Sequence, residues 1–219
     1  MTGAETSQNA ESTGESDPAT DTDPAGESTT EPLGVGIITV ATDRSLASDA
    51  AGTAIETALE QSGYELTTRE HVAAEHDRVQ SIVLRLIERG DVDLVITAGS
   101  TSIEPDDVVI EAVEPLFDKE LTAFRELFTM YAAERIGSRV VAMRTRAGVA
   151  DGKPVFCLPG NADATTLATE EVILPEARHL IELAQGHGKA TESAAEPAFA
   201  DDDSDTTDSE RAGETDTDS

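Results

Sequence analysis

A stretch of small and hydroxylated residues at 98–107 carries the side chains best suited to chemistry. It reads Ala-Gly-Ser-Thr-Ser-Ile-Glu-Pro-Asp-Asp and directly follows an apolar run at 93–97. Backbone N–H groups and hydroxyls in such a turn can cradle a phosphate, and a carboxylate such as Asp107 can hold a divalent cation or position a nucleophile. Asp106 and Asp107 could equally cap a following helix. The local sequence leaves both interpretations open.

Signatures of several other site classes are missing from the sequence. No G-x-x-x-x-G-K-[ST] phosphate loop is present, and no G-x-G-x-x-G follows a predicted strand, so we expect no NAD site. The four histidines are His71, His76, His179 and His187. They lack metal-ligand spacing and the single cysteine has no partner, so we expect no zinc site. Cys157 lies in an apolar run, which predicts a buried structural thiol.

Alternating apolar runs and amphipathic segments predict the elements that position the 98–107 loop. The predicted strands cover residues 35–40, 64–72, 93–97, 139–146 and 154–158. The predicted helices cover residues 49–62, 77–89, 105–117 and 119–134, followed by two short helices within 163–184. The helix at 105–117 is predicted because Pro and acidic residues favour a first helical turn. Strand–helix alternation predicts an α/β fold with a mainly parallel sheet and helices on both faces.

Three loops of this predicted fold follow strands, at 41–45, 98–107 and 158–163. In open parallel sheets, ligands bind at the carboxyl ends of the strands, so these loops predict a small-molecule site. The first loop offers Thr42, Asp43 and Arg44 as contacts. Arg144 lies near the end of a predicted strand, where it is either a surface cation or a phosphate clamp.

The composition excludes several classes of partner. The chain has 219 residues, with 45 Asp plus Glu against 15 Lys plus Arg and a net charge of −30. Such a charge repels nucleic acid at long range. One cysteine cannot form an internal disulfide, the N-terminus lacks the pattern of a signal peptide, and no apolar stretch is long enough to span a bilayer. We therefore expect a cytoplasmic protein with neither nucleic acid nor membrane as partner.

The two ends of the chain differ from its middle. Residues 1–32 contain eight acids and no Lys or Arg, and residues 187–219 contain eleven acids and two bases. Both are rich in Ser, Thr and Gly, so we expect disordered acidic tails. The predicted domain, 33–186, is itself acidic, with 26 acids and 13 bases. This favours a halophilic cytoplasm, where molar salt shortens the Debye length to about 3 Å. A mesophilic protein with acidic interaction tails is the alternative.

The segment Thr101-Ser102-Ile103-Glu104-Pro105-Asp106-Asp107 resembles the GGTG-x-x-P-x-D signature of the MoaB/Mog family of molybdenum-cofactor biosynthesis proteins. Further similar stretches follow in the family's order: residues 39–45, 119–121, 136–139, 147–149 and 158–160. The resemblance spans about residues 34–186. It implies a three-layer α/β domain, assembly as homotrimers or hexamers, and adenylylation of molybdopterin by Mg-ATP with release of pyrophosphate.

The resemblance also implies roles for particular residues. Asp107 is implied to be the catalytic aspartate and a candidate Mg²⁺ ligand. The pterin and phosphate contacts are implied for Gly99, Ser100, Thr101 and Ser102, for Pro159, Gly160 and Asn161 in a second binding loop, and for Arg144.

Several positions depart from the family pattern. Ser100 and Ser102 replace glycines, and Met143 replaces the serine before Arg144. If the family backbone needs positive φ at the glycine positions, each serine adds strain. Two functions therefore stay open: an active adenylyltransferase, or an impaired paralogue that binds pterin or nucleotide, or acts as an assembly subunit, without turnover. A domain similar to that of the competence protein CinA is a third interpretation.

Overall fold

The computed structural model describes residues 32–42 and 48–186. Both predicted tails lie outside the described residues except for Pro32, and so do Asp43 and Arg44. The predictions made for those parts of the chain stay predictions. No helix in the two described ranges is long and apolar enough to cross a membrane.

The core of the fold is a six-stranded sheet in the order β2-β1-β3-β6-β5-β4. Its strands are β1 Gly34–Val40, β2 Glu65–Val72, β3 Leu94–Ala98, β4 Lys119–Glu120, β5 Arg146–Ala150 and β6 Lys153–Leu158. β2, β1, β3 and β6 pair in parallel, whereas β5 and β4 add antiparallel. The predicted mainly parallel sheet is confirmed. The edge strand β4 takes two residues that were predicted as helical.

Helices cover both faces of this sheet. They are α1 Ala50–Ser62, α2 His76–Ile87, α3 Val109–Val113, α4 Thr122–Ile136, α5 Ala162–Ala168 and α6 Leu174–Ala184, with a π-helical turn at Thr169–Ile173 between α5 and α6. Each face of the sheet packs against its own hydrophobic core, and alternate residues of β1 point into one core or the other. Ile37 belongs to the core shared with α1, α4, α5 and α6, and Ile38 belongs to the core shared with α2 and α3. The predicted three layers are confirmed.

The helix predicted at 105–117 is wrong at its start. The helix α3 begins only at Val109 and gives way to a 3₁₀ turn, Glu114–Leu116. The Ser100 hydroxyl accepts a hydrogen bond from the Val108 N–H (3.2 Å), and the Ser100 carbonyl accepts one from the Val109 N–H (3.0 Å). These bonds compete with a helical turn, so the segment that contains Pro and acids stays a loop.

The prediction of a strand at 139–146 is wrong for most of these residues. A 3₁₀ segment, Gly137–Ala142, follows α4, and β5 begins at Arg146. The β-branched pair Val140-Val141 favoured a strand in the sequence. In the structure the side chain of Val141 is 86% exposed, because this segment lies outside the sheet.

Candidate functional site

A cavity of about 530 Å³ lies at the carboxyl ends of β1, β3 and β6. Its wall is formed by residues 39–42, by parts of the loop 98–107 and by Gly160. Two other segments contribute Asp49 and Ala74. The structure therefore brings the three predicted loops together, with Thr42, Gly99 and Asp107 on one cavity.

Two glycines let the loops after β3 and β6 meet. Gly99 has φ +102°, and a Cβ at this position would lie 2.3 Å from the carbonyl oxygen of Val40. A Cβ at Gly160 would lie 2.9 Å from the Cα of Gly99. Both contacts are closer than a side chain allows, so the sequence needs glycine here for a backbone-to-backbone approach.

Ser100 adopts the left-handed conformation, with φ +52°. Ser100 and Asp151 are the non-glycine residues with positive φ in the described ranges, so strain is present at Ser100 but not at Ser102. A left-handed residue with a Cβ costs about 1–2 kcal/mol. The Ser100 hydroxyl offsets part of this cost, since it accepts from the Val108 N–H and donates to the Asp106 carbonyl (3.4 Å). The serine is thus accommodated by bonds within its own loop.

Asp107 is half-buried and organises the same loop. Its Oδ2 accepts a hydrogen bond from the Ser102 N–H (2.6 Å), and its own N–H donates to the Glu104 carbonyl (3.1 Å). The interpretation of Asp107 as a helix cap is therefore wrong, because its carboxylate closes the turn after β3. Thr101 is buried in that turn.

Carboxylates dominate the charge of the cavity. Asp49, Glu104, Asp106 and Asp107 line it, and none of its lining residues in the described ranges is Lys or Arg. Carboxylate oxygens are the ligands that Mg²⁺ prefers, so the donor set suits a hard cation. No group of three His, Cys, Asp or Glu side chains in the described ranges forms a complete metal site. Asp107 as a Mg²⁺ ligand stays a prediction.

Asp49 is a site residue that the sequence analysis missed. Its side chain is 2% exposed and accepts hydrogen bonds from the Thr39 hydroxyl (2.5 Å), the Gly52 N–H (2.9 Å) and Arg69 (3.0 Å). Burial raises the pKa of Asp49, but the bonds from these three partners outweigh it and hold the pKa below its ordinary value. In the sequence Asp49 is only the first residue of the predicted helix 49–62, because its partner Arg69 lies 20 residues away.

Arg144 lies just before β5 and contacts the turn after β3. One guanidinium nitrogen donates to the Ser102 carbonyl (3.2 Å), and the other forms an ion pair with Glu111 of α3. Partial burial raises the pKa of Glu111, but the hydrogen bond and the charge of Arg144, together with a bond from the Glu111 N–H, outweigh it and the pKa is lowered. Arg144 is therefore neither an isolated surface cation nor part of the cavity wall.

A second cavity, of about 620 Å³, lies beside the same β6 loop. Pro159 and Asn161 line this second cavity, whereas Gly160 between them lines the first. Asn161 also caps α5 by accepting from the Ala164 N–H (3.2 Å). Arg135 and Arg139 line it as well. Their sequence context did not indicate this role, because the other walls of the cavity come from other elements.

Cys157 takes the structural role that its sequence context predicted, and two aromatic residues of α4 lie in the core. Cys157 is fully buried, which raises the pKa of its thiol to about 12. Phe124 and Phe128 belong to the core, where Phe124 packs edge-on against Phe156 with ring centres 5.0 Å apart. None of these groups contributes to the site.

Comparison with known proteins agrees with this architecture. The sequence model of the family described as "Probable molybdopterin binding domain" matches residues 36–179. Molybdenum cofactor biosynthesis protein B of Bacillus cereus is 38% identical over 145 residues, covering 66% of this chain and 86% of that protein. The protein of the same name from Bacillus subtilis is 38% identical over 146 residues, with the same coverage.

Solved structures give the same result. A crystal structure of molybdenum cofactor biosynthesis protein B superimposes with a TM-score of 0.69 at 35% identity, covering 71% of this chain and 98% of that one. The tungsten cofactor synthesizing protein MoaB from Pyrococcus furiosus gives a TM-score of 0.63 at 30% identity, with the same coverage. Fold, loop motifs and relatives all agree: the chain belongs to the MoaB/Mog family of molybdenum-cofactor biosynthesis proteins.

Proposed function

We propose that this chain acts in molybdenum- or tungsten-cofactor biosynthesis by adenylylating molybdopterin. In this reaction a terminal phosphate oxygen of molybdopterin attacks the α-phosphorus of ATP. A new P–O bond forms, the bond to the β-phosphate oxygen breaks, and pyrophosphate leaves with its electron pair. The observation that carries the proposal is the loop closed by Asp107 on a cavity at the carboxyl ends of the strands, in a chain of this family.

The two cavities beside the β6 loop support a reaction between two reactants. One is lined by carboxylates and peptide groups, and the other by Arg135, Arg139 and apolar side chains. Because Gly160 borders the first and its neighbours border the second, ligands in the two cavities would approach each other across this loop. Such an arrangement replaces an encounter in solution by a positioned reaction.

The residues of the first cavity have complementary roles in the proposal. The turn at 99–102 supplies the backbone N–H groups of Ser100 and Thr101 for phosphate oxygens, and Asp107 holds that turn in shape through the Ser102 N–H. Asp107 would hold Mg²⁺, which when bound neutralises phosphate charge, and Glu104 and Asp106 add negative charge beside it. Without such a cation, these carboxylates would repel a nucleotide.

The test is pyrophosphate release from Mg-ATP in the presence of molybdopterin, in high-salt buffer, for the natural chain and for Asp107→Asn. Asparagine keeps an oxygen that can accept the Ser102 N–H, so the turn persists while the negative charge is lost. We expect the rate to fall by about 100-fold or more, because the lost charge weakens the binding of a cation whose neutralisation of phosphate charge is worth several kcal/mol.

Asp118→Asn is the matched control. Asp118 also accepts a backbone N–H, from Asp151 (2.9 Å), in the β5–β6 turn away from the cavity. We expect this variant to keep the natural rate. Equal rates for Asp107→Asn and the natural chain would contradict the proposal.

The alternative is a chain that binds pterin or nucleotide without turnover. The observation that favours it is Ser100, whose left-handed backbone and inward-bonded hydroxyl occupy a family glycine position. A folded natural chain that retains molybdopterin but releases no pyrophosphate would establish this alternative.

Assembly as homotrimers or hexamers is part of the same proposal. It is supported by exposed apolar side chains on α4 and the 3₁₀ segment after it, namely Met130, Ile136 and Val141. Light scattering of the full chain in high salt measures the assembly, and a monomer would contradict it.

A further inference from the structure

The peptide groups on either side of Ser102 are held at two points. The Ser102 N–H donates to Asp107, and the Ser102 carbonyl accepts from Arg144 across 42 residues of sequence. The first bond is local to the loop, whereas the second ties the loop to the segment before β5. The orientation of the turn therefore depends on where the Arg144 side chain lies.

Glu111 contacts the other side of the Arg144 guanidinium. Its carboxylate pairs with the guanidinium nitrogen of Arg144 that is not bonded to Ser102. Glu111 belongs to α3, which packs against α2, and its carbonyl lies 3.3 Å from Nε2 of His76. The side chain of Arg144 is 31% exposed, so without this partner water can take the place of the Ser102 contact.

We propose that Glu111 is a positioning residue. It holds the Arg144 guanidinium against the Ser102 carbonyl, so that the turn at 99–102 has its binding shape before any ligand arrives. Arg144 then acts through the turn rather than as a direct phosphate clamp, since both of its terminal nitrogens are already bonded within the chain. The consequence for turnover rests on the proposed function, whereas the consequence for the loop does not.

The test is hydrogen exchange of the full, ligand-free chain, with mass spectrometry of the segment 99–108. We expect Glu111→Gln and Arg144→Gln each to speed exchange in this segment by about tenfold, the size expected for a charge-assisted bond in a partly exposed pair. The double variant should exchange no faster than either single variant, because the two residues act in one chain of contacts.

Glu70→Gln is the matched control, because it removes the acid of the Arg85–Glu70 ion pair between β2 and α2. It should leave exchange in 99–108 unchanged. The proposal would be overturned if segment 99–108 of Glu111→Gln exchanged at the rate of the natural chain. It would also be overturned if the two single-variant increases in exchange rate added in the double variant. If Glu111→Gln does not fold, Arg144→Lys provides the comparison, because lysine keeps the charge but has one donor nitrogen in place of two. An exchange rate equal to that of the natural chain in this variant would also overturn the proposal.

Measuring turnover distinguishes a failure of the positioning role from a failure of the proposed function. If the chain adenylylates molybdopterin, Glu111→Gln should lower kcat/KM for pyrophosphate release by about tenfold, with Glu70→Gln unaffected. Faster exchange in Glu111→Gln from a chain without activity would support the positioning role and contradict the adenylyltransferase. Natural exchange in an active chain would overturn the positioning role alone.

Discussion

At the scale of single residues, Ser100 shows how a loop can tolerate a side chain at a strained position. Its φ of +52° is unfavourable for any residue with a Cβ, yet its hydroxyl bonds to two backbone groups of the same loop. The energy of these bonds and the energy of the strain oppose each other. Two substitutions can measure these energies separately. Alanine removes only the hydroxyl, whereas glycine removes both the hydroxyl and the Cβ.

We predict that Ser100→Ala is less stable than Ser100→Gly. Both variants lose the hydroxyl, but alanine keeps the strain, so its free energy of unfolding should be lower than that of the glycine variant by about 1 kcal/mol. Urea unfolding in high salt measures the difference.

Ser102 provides the control for this comparison. Its φ is not positive, so there the order should reverse and the alanine variant should be the more stable. Equal stability of the two Ser100 variants would show that its left-handed conformation carries no strain.

At the scale of elements, much of the fold could be predicted from periodicity. β1, α1, β2, α2, β3 and β6 lie within one or two residues of their predicted bounds, because each has a continuous apolar run, an alternating pattern or a clear helical face. The convergence of three loops at the carboxyl ends of the strands was predicted for the same reason. One error falls where a side chain bonds to nearby backbone, as Ser100 does before α3.

Contacts between distant elements could not be predicted from one sequence. Arg69 joins β2 to the start of α1 through Asp49, and Arg144 joins the segment before β5 to α3. The second cavity could not be predicted for the same reason, since its walls come from α4, α5 and the β6 loop. Periodicity shows which face of an element is buried, but it does not show which charged groups meet.

The contact between α1 and β2 predicts an acid-dependent loss of stability. Asp49→Asn keeps an oxygen to cap α1 but leaves Arg69 without its buried counter-charge, so we expect the free energy of unfolding to fall by about 3 kcal/mol. The pKa of Asp49 is lowered in the folded chain, so its contribution is present at neutral pH and declines as the pH falls below about 5. The variant should therefore lose less stability than the natural chain between about pH 6 and pH 3.

Urea unfolding at a series of pH values measures both effects. Glu56→Gln is the control, since Glu56 is the other acidic partner of Arg69 and its side chain is 34% exposed. It should cost less than about 1 kcal/mol. A parallel pH dependence of Asp49→Asn and the natural chain would contradict the prediction.

At the scale of the whole molecule, the excess of acid predicts stabilisation by salt. Residues 33–186 alone carry 26 acids against 13 bases, and the full chain has a net charge of −30. Repulsion between surface carboxylates opposes the compact state and is screened when the Debye length falls to a few ångström, near about 1 M salt.

We expect the thermal midpoint to rise steeply between about 0.1 and 1 M KCl and then to level off. Thermal unfolding followed by circular dichroism measures this curve. Sucrose is the control, because it favours compact states without screening charge. A midpoint that does not change with KCl would contradict both this prediction and the halophilic interpretation.

The two-residue turn between β5 and β6 has a consequence for the order of folding. Asp151 and Gly152 both have positive φ, as a tight hairpin requires, so this antiparallel pair can form from neighbouring residues within microseconds. The parallel pairs β1–β3 and β3–β6 join residues about sixty positions apart and must close long loops first. The candidate cavity is built on those parallel strands. A growing chain therefore completes this cavity late, only after β6 and Gly160 have been synthesised.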